Sequence, residues 1–195
     1  MQDRLRKADW VVRPVAVSEA TPFIERHHYA MGASRAAVHI HGLFPKNGEE
    51  LSGIAWWLPS TRVACESVDP YRWKEVLSLS RMAVLPGVPK NACSFLLARA
   101  IRFIRCDNRW SWLLTYADES QGHEGWVYRA CNWTYVGRTA PTTRWVDIFG
   151  RQVAQQSTKT RTKAQMLALG YSVDGQFCKH KYVYQLRPMP NADLF

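Results

Sequence analysis

The sequence predicts an α/β (α+β) fold, a mixed sheet with helices packed on it. Three observations predict it. Strand-like and helix-like segments alternate along the chain. Its 195 residues, 47% of them hydrophobic, suffice for one real core. After Asn91, Cys93, Leu96, Leu97, Ala100, Ile101 and Ile104 recur at i, i+3, i+4, i+7, i+8 and i+11, which is one face of a helix.

The elements follow in order. "WVVRPVAV" (10–17) reads as a strand. "SEATPFIERHHY" (18–29) reads as a helix capped by Ser18, with Ala20, Phe23, Ile24 and His27 or His28 inward. "AAVHIHGLF" and "ELSGIAWWLP" form a hairpin around the turn residues "PKNGEE". Residues 60–74 read as irregular, and Val76–Leu85 as a strand. "PGVPKN" is a loop, since prolines and a glycine crowd it, and the helix just described follows. "WSWLLTY" is a strand, "HEGWVYRACNW" a short helix and "TYVGRT" a strand. Residues 140–180 form a polar basic insertion with a short helix, "KAQMLALG", and "KYVYQL" closes as a strand. No internal repeat or domain boundary is visible, so one domain over 1–195 is expected.

Composition narrows the function. Twenty-six Lys and Arg against sixteen Asp and Glu give a net charge of +10. That excess favours a polyanionic partner through counterion release. No apolar run approaches a membrane span, and "MQDRLRKADW" lacks the apolar stretch of a signal peptide. Five widely spaced cysteines without a C-x-x-C pair point to reduced thiols in the cytoplasm. In the insertion, Arg151, Lys159, Arg161 and Lys163 sit among small polar residues, a composition suited to a nucleic-acid backbone. Arg99, Arg102 and Arg105 make a second cationic stripe, opposite the apolar face of the long helix.

The order of elements resembles the GNAT acyltransferase fold, a mixed sheet splayed at its centre with helices on both faces. In that fold, the amides of the loop before the long helix hold a coenzyme pyrophosphate. Here the loop is "PGVPKNACS", with one glycine and a proline at 89; Lys90, Asn91 and Ser94 are its candidate phosphate or carboxylate ligands.

"ERHHY", "LSRMAVLP…KNACSFLLARAI", "YADESQGHEGWVYRACNWTYVG" and "KYVYQL" together resemble the bacteriophage Mom-type DNA-modification proteins over residues 17–186. The resemblance implies a transferase that converts adenine in phage DNA to N6-carbamoylmethyladenine and protects it from host restriction enzymes. It also implies site residues: His28 with Tyr29, Arg81, Ser94, Asp118 and Tyr128. The fold gathers reacting groups where its central strands part. On this reading Asp118 or His28 is the base for the exocyclic amine, and Tyr128 donates to a leaving group or oxyanion. Arg81 holds a carbonyl or phosphate, or sets the charge of Asp118. Iron is implied as a further candidate, with His28 and Asp118 as ligands, although no facial-triad spacing is present.

The base must leave the stack, and Trp56, Trp57, Trp126 or Tyr29 are candidates to stack on it. The expected partners are DNA and an acyl donor, either acetyl-coenzyme A or a glycyl donor such as glycyl-tRNA. The alternatives are an acyl-coenzyme A-dependent N-acyltransferase on a small molecule or protein, and an inactive DNA-binding protein.

Overall fold

Strands β2 (His39–Pro45) and β3 (Gly53–Pro59) are buried at most positions along their length, so both faces of the sheet they share are covered. In the computed structural model, which describes residues 4–30, 36–153, 158 and 160–187, they belong to the larger of two compact units. That unit comprises residues 1–115, 126–135 and 182–195; the smaller comprises 116–125 and 136–181.

The sheet is seven-stranded. Its further strands are β1 (Trp10–Pro14), β4 (Val76–Val84), β5 (Trp112–Asp118), β6 (Thr134–Arg138) and β9 (Lys179–Gln185), in the order β1-β2-β3-β4-β5-β9-β6. The first four strands pair antiparallel, whereas β4 and β5 run parallel. The sheet is therefore mixed, as the sequence predicted.

Helices flank it. Helix α1 (Val17–His27) lays Ala20, Phe23 and Ile24 on Ile40, Ile54, Trp56 and Ala83. Helix α3 (Ala92–Arg105) approaches the other face, where the His41 ring stacks on Phe103; Ile40 and His41 are successive strand residues and point oppositely. Phe95, Leu96, Leu97, Ala100, Ile101 and Ile104 of α3 are buried, each large side chain contributing about 1.5–3 kcal/mol. A methyl group at Gly42 would fall within 2.5–2.8 Å of Val15, Phe44 and Leu51, so only glycine fits there.

The centre of the sheet is irregular. Trp56 faces Arg81 while Trp57 faces Leu79, so Ser80 is an extra residue on β4, a β-bulge. Pairing of β4 with β5 stops after three residue pairs, at Ser78 and Leu114. Beyond it, the Thr115 hydroxyl donates to the Leu79 carbonyl at 3.2 Å, so a side chain satisfies a group the ladder leaves open.

The smaller unit has a sheet of its own. Strands β7 (Thr142–Val146) and β8 (Ser172–Phe177) pair antiparallel, and the short helix α5 (Lys163–Ala168) buries Met166. Thr162 and Gln165 close a capping box at its start. The short helix read in the insertion is α5, whereas strands β7 and β8 were not read there from the sequence.

Several local expectations are corrected. Ser18 does not cap α1: the N-cap is Ala16, without a side-chain bond, and Ser18 lies within the first turn. Residues 60–74 include helix α2 (Arg62–Glu66), capped by Thr61 and too short to show periodicity. Asn91 is the N-cap of α3, in a left-handed conformation (φ 71°) and without a side-chain cap bond, and the Ser94 hydroxyl donates to its carbonyl. Helix α4 (Trp126–Ala130) is shorter than read, and it begins after Gly125.

Candidate functional site

The small unit carries a polar pocket around one buried carboxylate. Asp118, 6% exposed, ends β5. Its Oδ1 accepts from the Ser120 N–H (3.0 Å) and hydroxyl (2.7 Å). Its Oδ2 stands 3.5 Å from the Lys179 ammonium. Thr142, Thr143, Arg144, Gln152 and Lys179 complete a cavity of about 50 Å³ with Asp118 and Ser120. Arg144 holds its shape: its Nη1 donates to the Ser120 carbonyl at 2.7 Å and its Nε lies 2.8 Å from the Asp174 carboxylate. Such a volume admits one or two small groups, not a purine.

The neighbouring Glu119 is structural. It pairs with Arg138, accepts from the Cys178 N–H at 2.9 Å, and returns its own N–H to the Cys178 carbonyl. Of the acids at this strand end, Asp118 is the one that faces the pocket.

In the large unit stand His28, Tyr29, Arg81 and Tyr128. His28 lies just past α1, in extended conformation, because the helix ends at His27; the reading that kept it helical is corrected. It is buried, accepts from the Ala30 N–H through Nδ1 at 3.1 Å, and stacks on Tyr29 with ring centres 4.3 Å apart. His27 is exposed and packs on Phe23. Tyr29 is 40% exposed. Arg81 follows the bulge and donates to the Ser80 carbonyl (2.8 Å) and hydroxyl (3.2 Å). Tyr128 is buried beside Thr115. Burial pushes its phenol up, against the hydrogen bond with Thr115, so it remains a neutral O–H donor at physiological pH.

Beside α3 runs a cleft of about 460 Å³, lined by Lys7, Asn91, Ser94, Arg99, Arg102 and Arg105 among others. Among the described residues, no carboxylate lines it. Arg105 donates to the Tyr184 hydroxyl at 2.5 Å. Behind it the Cys131 thiol contacts the Ser94 carbonyl, and burial together with Cys93 holds that thiol at about 11. Lys90 is not part of the lining; its carbonyl accepts from the Leu5 N–H at 3.0 Å. The arginine stripe therefore borders the same cavity as Asn91 and Ser94.

Other expectations change. Trp56 and Trp57 are 1% and 0% exposed and are core, not stacking platforms; Trp126, at 66%, is open, under the Arg129 guanidinium. Arg151 is ion-paired with Asp147 at 2.8 Å. Lys163 opens α5, Arg161 precedes its cap, and Lys159 lies outside the described residues. Among the described residues, no group of three or more His, Cys, Asp or Glu could hold a metal ion, and no helix is long and apolar enough to cross a membrane. Iron thus finds no built ligand set there. All five cysteines are free thiols. Sequence reasoning missed Ser120, Arg144 and Lys179 as neighbours of Asp118, because Arg144 and Lys179 reach it only through folding of the insertion.

A splayed mixed sheet with a long helix after its bulged strand defines the GNAT acyltransferase fold. Solved structures agree. The ribosomal-protein-S18-alanine N-acetyltransferase of Escherichia coli superposes with a TM-score of 0.57 at 10% identity, over 95% of this chain and 99% of that one. Spermidine N-acetyltransferase from Vibrio cholerae, in complex with CoA and spermine, gives 0.56 at 7% over 92% and 97%. A GNAT family acetyltransferase from Elizabethkingia anophelis with acetyl-CoA bound gives 0.52 at 9% over 92% and 99%. No curated protein matches by sequence. The Mom protein family matches residues 9–194, and the chain belongs to that family.

Proposed function

We propose that the protein is a DNA-modifying transferase that converts adenine to N6-carbamoylmethyladenine, the activity its likeness to the Mom-type proteins implies, and so protects DNA from restriction. The observation that carries this reading is the Asp118 carboxylate, buried yet facing a pocket with room for an exocyclic amine and little more. Asp118 takes a proton from N6 as that nitrogen attacks an activated acyl carbonyl. Ser120 and Lys179 keep the carboxylate oriented between two fixed partners. Tyr128, neutral and buried, is assigned as the donor to the departing group. Arg81 and His28 are assigned to positioning, His28 through its stack on Tyr29.

The donor is placed along α3. A cationic cleft beside a helix N-terminus, without a carboxylate among the described residues of its lining, fits a phosphate-bearing carrier. Asn91, Ser94, Arg99, Arg102 and Arg105 would hold it. The carrier supplies an activated acyl group. The solved relatives of the fold that carry CoA or acetyl-CoA favour an acyl-coenzyme A. The product's atoms favour a glycyl donor such as glycyl-tRNA. Acylation of N6 by glycine forms an amide and releases the carrier. The glycyl amine then attacks C6 through a five-membered ring, and the original C6–N6 bond breaks. The result is a carbamoylmethyl group whose amide nitrogen is the former N6, with no net oxidation or reduction. Acetyl transfer supplies two carbons but no nitrogen.

The test is purified protein with DNA and each donor separately, read by mass spectrometry of the nucleosides. Carbamoylmethyl-deoxyadenosine with glycyl-tRNA alone is the expected result. Its formation from acetyl-coenzyme A alone would overturn the glycyl assignment, and acetylation of a small amine with DNA untouched would overturn the DNA reading.

A further inference from the structure

The turn that follows β7 is tightly built. Gly150, at φ 74°, closes it with an N–H bond to the Asp147 carbonyl at 2.9 Å. The Asp147 Oδ1 accepts from the Phe149 and Arg151 N–H groups, both at 2.9 Å, and its Oδ2 takes the Arg151 Nε at 2.8 Å. The Asp147 N–H returns to the Arg151 carbonyl at 2.9 Å, and Val146 bridges Gln152. These bonds fix the backbone of five consecutive residues.

What the turn holds out is apolar. Ile148 is 78% exposed and Phe149 73%, although Trp145 and Val146, just before them, are buried. The Arg151 guanidinium lies over the Phe149 ring at 5.0 Å. Two adjacent large apolar side chains at this exposure form a small apolar patch on a fixed turn. The surrounding unit has eight Lys and Arg against five Asp and Glu. Four of those acids, Asp118, Glu119, Asp147 and Asp174, are engaged by cations within it. The unit as a whole therefore carries an excess of positive charge, which suits a polyanion.

The tip also continues the proposed site. Trp145, Gln152 and Val153, which line the Asp118 pocket, belong to the two chain segments that carry Ile148 and Phe149. Trp145 and Ile148 are three residues apart in the chain, the first on β7 and the second on the turn that follows it. An adenine that leaves a duplex stack for a pocket pays an unstacking cost, and the gap it leaves in the stack is open to a side chain.

We infer that Ile148 and Phe149 form a wedge that enters the base stack of double-stranded DNA and holds it open while the adenine amine reaches Asp118. Apolar side chains inserted between base steps are a general means of unstacking a duplex, with flanking cations on the phosphates. The inference rests on the DNA reading above and adds to it a device that acts on the duplex and not on the chemistry.

The test compares the full-length chain with the double variant Ile148→Ser, Phe149→Ser. Binding is followed by fluorescence of 2-aminopurine placed through a duplex, which rises on unstacking. Modification is measured on a duplex and on the same strand unpaired. The wild type should raise the fluorescence and the double variant should not. Duplex modification should fall about tenfold or more while the unpaired strand is modified within about twofold of wild type. Phe149→Leu should retain most of both signals. Equal loss on paired and unpaired substrate, or no loss on either, would overturn the wedge. So would an unchanged fluorescence rise in the double variant, or a change of oligomeric mass by light scattering in its place. If the wild type modifies neither substrate, the DNA-modification reading fails, and the fluorescence comparison still decides the wedge.

Discussion

The Lys179 ammonium and the Asp118 carboxylate stand 3.5 Å apart, while the other carboxylate oxygen is held by Ser120. One oxygen is thus fixed by the local turn and the other by a residue from the far end of the insertion. Asp118→Asn keeps the Ser120 bonds and removes the charge. Modified adenine should fall at least about a hundredfold, the scale of a lost general base, with the melting temperature within a few degrees of wild type. Unfolding of that variant would return Asp118 to a structural role.

His41 makes stability depend on pH. It is 1% exposed, finds no protein partner for Nδ1, and is held at about 4 by burial and by His39. Folded, it is neutral; unfolded, it titrates near 6.5. Protonation therefore favours the unfolded chain. Its stabilising contribution is complete above pH 6.5 and is lost as the pH falls towards 4, on the order of 3 kcal/mol in all. Denaturant titrations from pH 7 to 4 should show this slope in the wild type and a flatter one in His41→Gln. Equal slopes would refute the assignment.

The two neighbouring histidines should separate cleanly. His27 is exposed and His28 buried on Tyr29, so His27→Gln should leave adenine modification unchanged and His28→Ala should abolish it. An iron measurement on purified His28→Ala tests the metal proposal for the family: iron and activity lost together would make His28 a ligand, whereas activity lost with iron unchanged would make it a positioning group.

The arginine stripe should govern donor affinity. Replacing Arg99 and Arg102 by Ser removes two of the cations that line the cleft beside α3. The KM for the donor should rise with kcat nearly constant, and the salt slope of tRNA binding should drop by about 1 per lost contact. A fall in kcat alone would place the donor elsewhere. The same measurement with DNA on Arg161→Ser, Lys163→Ser tests the insertion as the DNA backbone site.

Much of this fold was legible because its signals are local. The apolar period of α3, the hairpin of β2 and β3, and the motif around Asp118 can each be read within one segment. What escaped depends on distant partners. Trp56 and Trp57 looked available for stacking because burial of β3 on both faces requires helices from either side of it in sequence. Lys179 could not be matched with Asp118, since the two meet only because β9 lies beside β5 in the sheet. "VDIFG" lies within the stretch read as a polar insertion, and only the latched turn shows that Ile148 and Phe149 point outward. Helix α2 was too short for any period to show.

Mass spectrometry of nucleosides from the DNA of cells expressing the wild type, Asp118→Asn or no protein decides the matter. A deoxyadenosine heavier by a carbamoylmethyl group should be abundant with the wild type and absent from the other two. Unmodified DNA in all three samples, with soluble folded protein present, would contradict the assignment of this chain as a DNA adenine-modifying transferase.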